Sequence, residues 1–172
     1  MIKVENRYVI ERSAAEVYEV FSQVANMAQA FPTVRHVDVI DVDHVNVGAV
    51  LKLGLVSLDS NVSLEVTERS PPIRLVAKGV AVPGNGLAAF ARTVDKDGLT
   101  HITIALNLEE LAPAQCRVHY EVLADAHGNL KRVYNAIIKG QRQKLETAFV
   151  DHLSELLGTP IVAEIGAAKH LG

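Results

Sequence analysis

Between Asn129 and Leu157 the apolar residues fall at Leu130, Val133, Tyr134, Ile137, Ile138, Leu145, Ala148, Phe149, Leu153, Leu156 and Leu157. This is the i, i+3, i+4, i+7 rhythm of a single amphipathic helix. At 1.5 Å per residue it would run about 40 Å, longer than most globular helices. Asn129 can cap its start, and Gly158 followed by Pro160 stops it. Nothing else in the chain is helical on this scale, and what precedes it reads almost entirely as strand. The expected architecture is α+β: one curved antiparallel sheet of about seven strands wrapped around one long helix.

The stripe has a gap. By period, Gln141 belongs on the inner face between Ile138 and Leu145, and Gly140 sits beside it in mid-helix. Glycine there costs about 1 kcal/mol relative to alanine. Two readings are open: Gly140 admits a close strand and Gln141 lies at the stripe's edge, or both face a hollow in the core and Gln141 offers a hydrogen bond there.

Before the helix, Lys3 to Ile10 alternates, with Val4, Asn6, Tyr8 and Ile10 on one face. Ser13-Ala14-Ala15-Glu16 is a capping box that opens a helix burying Val17, Val20, Phe21 and Val24. Asn26 restarts a short helix that Pro32 ends. Strands follow at Arg35 to Asp43, Asn46 to Ser57, Ser60 to Arg69, Ile73 to Ala81, Thr100 to Glu109 and Cys116 to Asp125. Their connections are short and one face is polar, so the strands form an antiparallel meander. Ala77 and Gly79 put small residues on the inner face of the fifth strand. Pro83-Gly84-Asn85-Gly86 has loop chemistry and Asp95-Lys96-Asp97-Gly98 turn chemistry. The piece between them is an extra strand or a flap. One domain over 1–158 and a tail over 159–172 account for the chain.

Composition removes several classes of function. With 49% hydrophobic and 22% charged residues in 172, the chain can fill a core, yet no apolar run approaches a membrane span. Lys3, Glu5 and Arg7 interrupt the first strand, unlike a signal peptide, so the cytoplasm is expected. A net charge of −3 and the lack of tryptophan argue against nucleic acid as a partner. One cysteine, Cys116, makes no disulfide framework. The seven histidines are scattered without metal-ligand spacing, and no phosphate-cradling glycine loop occurs. No cofactor or metal is expected.

The order of strand, two short helices, meander and long C-terminal helix resembles the START-like, helix-grip superfamily. Ser13-Ala14-Ala15-Glu16-Val17-Tyr18 with Phe21, Ala30-Phe31-Pro32, Val47-Gly48-Ala49-Val50-Leu51-Lys52 and Glu68-Arg69-Ser70-Pro71-Pro72 carry the likeness. It extends over residues 1–157 and is nearest the polyketide cyclase and coenzyme-Q-binding types, most of all the branch of carbon monoxide dehydrogenase accessory proteins. Residues 85–98 form a longer segment than that branch shows. The resemblance implies a cavity between sheet and helix that holds lipids, quinones, polyketides or other apolar molecules, in carriers and in enzymes alike.

The expected lining is Asn6, Tyr8, Phe31, Leu53, Leu64, Ala77, Gly79, Ile104, Leu106, Val118, Tyr120, Tyr134, Ile137, Ile138, Gln141 and Leu145, with Pro83 to Gly98 and Phe31-Pro32 at the mouth. The inward polar set (Asn6, Tyr8, Tyr120, Tyr134, Gln141) contains no Asp, Glu, His or Lys. It suits orientation of a neutral ligand better than proton transfer at neutral pH. No catalytic residue is assigned, although Tyr8 or Tyr120 would be the weak acid of a cyclase or dehydratase. For each tyrosine, core packing and pocket lining are both open. Lys131, Arg132, Lys139, Arg142 and Lys144 form a basic helix face. It is either plain solvated surface or a docking patch for an anionic membrane or acidic partner. The likeness to carbon monoxide dehydrogenase accessory proteins adds a redox enzyme complex as an expected partner.

Overall fold

A computed structural model describes residues 2–53, 56–86, 99–126, 128–163 and 169–171. The elements are β1 (Ile2–Ile10), α1 (Ala14–Ser22), α2 (Val24–Gln29), β2 (Val34–Val39), β3 (His44–Leu53), β4 (Val56–Ser70), β5 (Arg74–Gly86), β6 (Thr100–Ala112), β7 (Gln115–Asp125), α3 (Gly128–Leu157), β8 (Ile161–Ala163) and β9 (Lys169–Leu171). The expected order is present. The long helix starts one residue before Asn129 and ends at Leu157, as its periodicity requires.

The sheet runs β2-β3-β4-β5-β6-β7-β1-β8, with β9 also on β1, and every pair is antiparallel. Register shifts interrupt β2–β3, β4–β5 and β6–β7. Each leaves an extra residue on one strand and bends it, which curls the sheet. The alternation read from the sequence sets the faces. Tyr8 and Ile10 on β1, Ile104, Leu106 and Leu108 on β6, and Cys116, Val118 and Tyr120 on β7 all point inward and are buried.

Ser13 accepts the Glu16 backbone N–H (3.2 Å) and caps α1 as expected. The Glu16 carboxylate accepts from the Ser13 hydroxyl (3.1 Å). Gly158, at φ +65°, terminates α3, and Thr159 N–H donates to the Ser154 carbonyl (3.2 Å), a Schellman closure. Arg12 donates to the Gly158 carbonyl (3.1 Å), which places a cation at the negative end of the helix. Arg69 ties α1 to the β2–β3 turn, donating to the carbonyls of Ser22 (2.7 Å) and Val42 (3.0 Å) and to Asp43 (2.9 Å).

Several boundaries differ from the sequence reading. β2 stops at Val39 because the Asp41 carboxylate captures the Asp43 amide (2.9 Å) and turns the chain. Val56 and Ser57 belong to β4, paired with Leu53 and Lys52 across a tight hairpin. Pro83 to Gly86 continue β5 instead of looping. Pro83 lies opposite Ser60 beside a register shift, where a missing N–H is tolerated. Leu111 and Ala112 extend β6, leaving Pro113-Ala114 as the turn. The tail adds two strands to the seven expected. β1 has β7 on one side only, and Ile161–Ala163 and Lys169–Leu171 hydrogen-bond along its other edge, covering a template for unwanted pairing. The expected flap over residues 87–98 lies outside the described residues.

α3 divides in two. Phe149, Leu153 and Leu157 pack with α1 and β1 in the solid core. Its N-terminal half covers the other end of the sheet, where the core gives way to a cavity.

Candidate functional site

The cavity measures about 290 Å³, close to the lower end for small-molecule sites. The sheet contributes Ile2 and Val4 (β1), Val34 (β2), Val47 and Ala49 (β3), Ser60, Val62 and Leu64 (β4), Ala81 (β5), Thr100, Ile102 and Ile104 (β6), and Tyr120, Val122 and Ala124 (β7). These are the inward positions of a period-two pattern, which is why nearly all are aliphatic. Ala28, Phe31, Pro32 and Thr33 close one side. α3 covers the cavity with Tyr134, Ile137, Ile138, Arg142, Leu145, Glu146 and Phe149.

One end is aromatic and polar. Phe149 packs on Tyr120 (ring centroids 4.7 Å), Phe31 (5.4 Å) and Tyr8 (6.1 Å). Tyr8 lies parallel to Tyr120 at 6.0 Å. Asn6 donates its side-chain amide to the Tyr120 hydroxyl (2.8 Å), and Tyr8 hydrogen-bonds to the same oxygen. Burial raises the pKa of both tyrosines, and the Glu146 carboxylate pushes the same way, so both stay neutral over the physiological range. Arg142 and Glu146 pair across one helical turn (2.8 Å). Their side chains are 30% exposed, so the pair reaches from solvent to the cavity.

The opposite end holds Thr100. It is 1% exposed, and its hydroxyl has no hydrogen-bond partner. An unmade hydrogen bond on a buried group costs about 1–3 kcal/mol.

Of the expected lining, the structure brings together Phe31, Leu64, Ile104, Tyr120, Tyr134, Ile137, Ile138 and Leu145. Asn6 and Tyr8 sit behind Tyr120 as its support and do not line the cavity. Ala77, Leu106 and Val118 are in the packed core. Gly79 is covered by Leu64, whose Cδ2 lies 2.6 Å from where a Gly79 Cβ would be. The Leu53 side chain lies outside the described residues. Gln141 is half-buried but outside the lining, and Gly140 is exposed with nothing near it. Neither expected role of Gly140, close strand approach or cavity wall, is present. Arg142 takes the inward position, as i+4 from Ile138, and continues the stripe through Leu145, Glu146 and Phe149. The cavity therefore does carry charged groups, contrary to an inward polar set free of acids and bases. The i, i+4 step from Ile138 to Arg142 and on to Glu146 is the signal in the sequence that points to them.

Cys116 is wholly buried, and burial pushes its thiol up to about 11, so it is no nucleophile. Among the described residues there is no cluster of His, Cys, Asp and Glu able to hold a metal. No helix among them is long and apolar enough to cross a membrane.

The profile of the family described as polyketide cyclase / dehydrase and lipid transport matches residues 1–153. The chain belongs to that family. The START-like resemblance read from the sequence is thereby placed within the polyketide cyclase/dehydrase and lipid transport proteins. Solved structures share its fold across almost the whole chain. A conserved protein from Geobacillus kaustophilus superposes with a TM-score of 0.70 at 12% identity, covering 99% of each chain. A START superfamily protein from Mycobacterium smegmatis gives 0.53 at 10% identity, over 91% of this chain and 94% of that one. The Zhui aromatase/cyclase from a Streptomyces species gives 0.51 at 11% identity, over 91% and 96%. No curated protein matches the sequence. The family thus spans both enzymes and lipid transport, and at these identities the structural likeness establishes the fold alone.

Proposed function

We propose that the chain binds an apolar small molecule, of the lipid or quinone type, without transforming it. The observation that carries this reading is the lining: a space of about 290 Å³ whose walls are almost wholly aliphatic and aromatic. Such a surface gains from burying an apolar ligand at about 25 cal/mol per Å² and offers few groups for chemistry. Phe31 and Pro32 stand at its side and would control entry. The finer likeness to carbon monoxide dehydrogenase accessory proteins adds a second part to the proposal. The protein would act in the cytoplasm as an accessory factor to a redox enzyme, touching a membrane surface peripherally. The exposed Arg132, Lys139 and Lys144 on α3 support such contact.

The test is mass spectrometry of purified protein, first native and then after organic extraction. A co-purifying apolar molecule is expected. Protein that is free of ligand and also takes up no Nile red would end the carrier reading.

One observation favours a second reading, an enzyme of the cyclase or dehydratase type. Tyr120 lines the cavity with its hydroxyl fixed by Asn6, and Arg142 and Glu146 stand close enough to shift its titration. Tyr8 does not reach the cavity, so Tyr120 alone would touch a substrate. Unchanged turnover of an identified substrate by Tyr120→Phe would remove this reading.

A further inference from the structure

The placement of the cavity's polar groups constrains the ligand's shape, given that the cavity binds an apolar molecule as proposed above. Tyr120, Arg142 and Glu146 stand together at one end. Thr100 stands at the other. Leu106 is the cross-strand partner of Tyr120 on β6, and Thr100 lies six residues before it (100 to 106). At ~3.3 Å per residue the two ends are about 20 Å apart along the strand. Between them β6 and β7 present only Ile102, Ile104, Val122 and Ala124 to the cavity.

Thr100 occupies the inward register, opposite Ala81, among aliphatic neighbours. A valine would fill the same space there without an orphaned hydroxyl. The Thr100 hydroxyl can both donate and accept, and no group among the described residues pairs with it. We infer that the ligand is an elongated apolar molecule with an oxygen function at each end, a carbonyl or carboxyl at Tyr120 and Arg142 and a hydroxyl or carbonyl that hydrogen-bonds to Thr100. Thr100 is then a specificity-determining residue for the far end of the ligand.

The experiment compares dodecanoic acid with ω-hydroxydodecanoic acid, which differ only at the far end. Binding of each is measured by Nile red displacement on the wild type, Thr100→Val and Thr100→Ser. The affinity ratio of hydroxylated to plain chain should fall about tenfold in Thr100→Val, the worth of one hydrogen bond in a desolvated site. Thr100→Ser should keep the wild-type ratio. Free Thr100→Val protein should also melt at a higher temperature than the wild type, since a buried unpartnered hydroxyl is gone. Equal ratios in wild type and Thr100→Val overturn the two-ended ligand and leave the apolar-binding proposal standing. Nile red uptake with no displacement by either chain overturns the elongated ligand. No uptake of Nile red removes both.

Discussion

Gly79 and Gly140 make a paired prediction in which the same substitution should have opposite signs. Replacing glycine by alanine normally stabilises a protein by about 0.4–1 kcal/mol, because the unfolded chain loses freedom. At Gly79 the added methyl would stand 2.6 Å from the Ser63 carbonyl oxygen and 2.6 Å from Leu64 Cδ2. Leu64 can turn a side chain, but it would turn into the cavity it lines. Ser63 can give only by moving the backbone of β4 in its ladder with β5. Overpacking of this kind costs about 1–3 kcal/mol. At Gly140, exposed in mid-helix, no atom lies within 4 Å of the new methyl, and alanine gains about 1 kcal/mol of helix propensity. In a chain of 172 residues each kcal/mol moves the melting temperature by about 2–4 °C. Urea unfolding of Gly79→Ala should give a lower midpoint with an unchanged slope, and Gly140→Ala a higher one. Gly79→Ala at or above wild-type stability would refute the close approach of β4 and β5. Gly140→Ala below wild type would refute the exposed, unpacked placement of that residue.

Three further outcomes follow from other parts of the molecule. Phe149→Ala, which removes a buried ring in contact with Tyr8, Phe31 and Tyr120, should cost about 3–5 kcal/mol by thermal or urea unfolding; a loss under about 1 kcal/mol would contradict its place in the core. His44 has its pKa raised above 6.5, first by its hydrogen bond to Asp41 (2.7 Å) and then by the charges of Asp41, Glu65 and Asp43, while Asp41 is lowered below 3.8 by the same bond. The histidine's contribution is complete below pH 6.5 and is lost as pH rises through its folded pKa. The aspartate's contribution is present above pH 3.8 and is lost as pH falls through its folded pKa, so the pair stabilises most between about pH 4 and 6.5. An NMR titration should place His44 above 6.5, and Asp41→Asn should bring it down; no change on that substitution would exclude the pair in solution. Cys116 should not react with a thiol reagent at about pH 8 until urea unfolds the chain, because burial lifts its thiol to about 11; rapid labelling of native protein would contradict its burial.

Local periodicity decided a large part of this fold. Apolar residues along 129–157 repeat at the helical spacing, and α3 spans Gly128–Leu157. The alternating residues of β1, β6 and β7 face inward as the pattern requires, since a strand's two faces follow from the pleat alone. Capping residues and turn residues act over three or four positions, so Ser13 and Gly158 were legible too. Tertiary structure decided which inward residues meet open space and which meet one another. Tyr120 and Tyr8 have the same pattern on neighbouring strands, yet only Tyr120 reaches the cavity, because Phe149 and Tyr8 fill the volume behind it. Arg142 and Glu146 turn toward the cavity while carrying charge, since each satisfies the other across one helical turn. The tail's two strands find β1 because the meander leaves that edge uncovered. Each of these outcomes depends on which elements become neighbours, and a repeat of 2 or 3.6 residues carries no information about that.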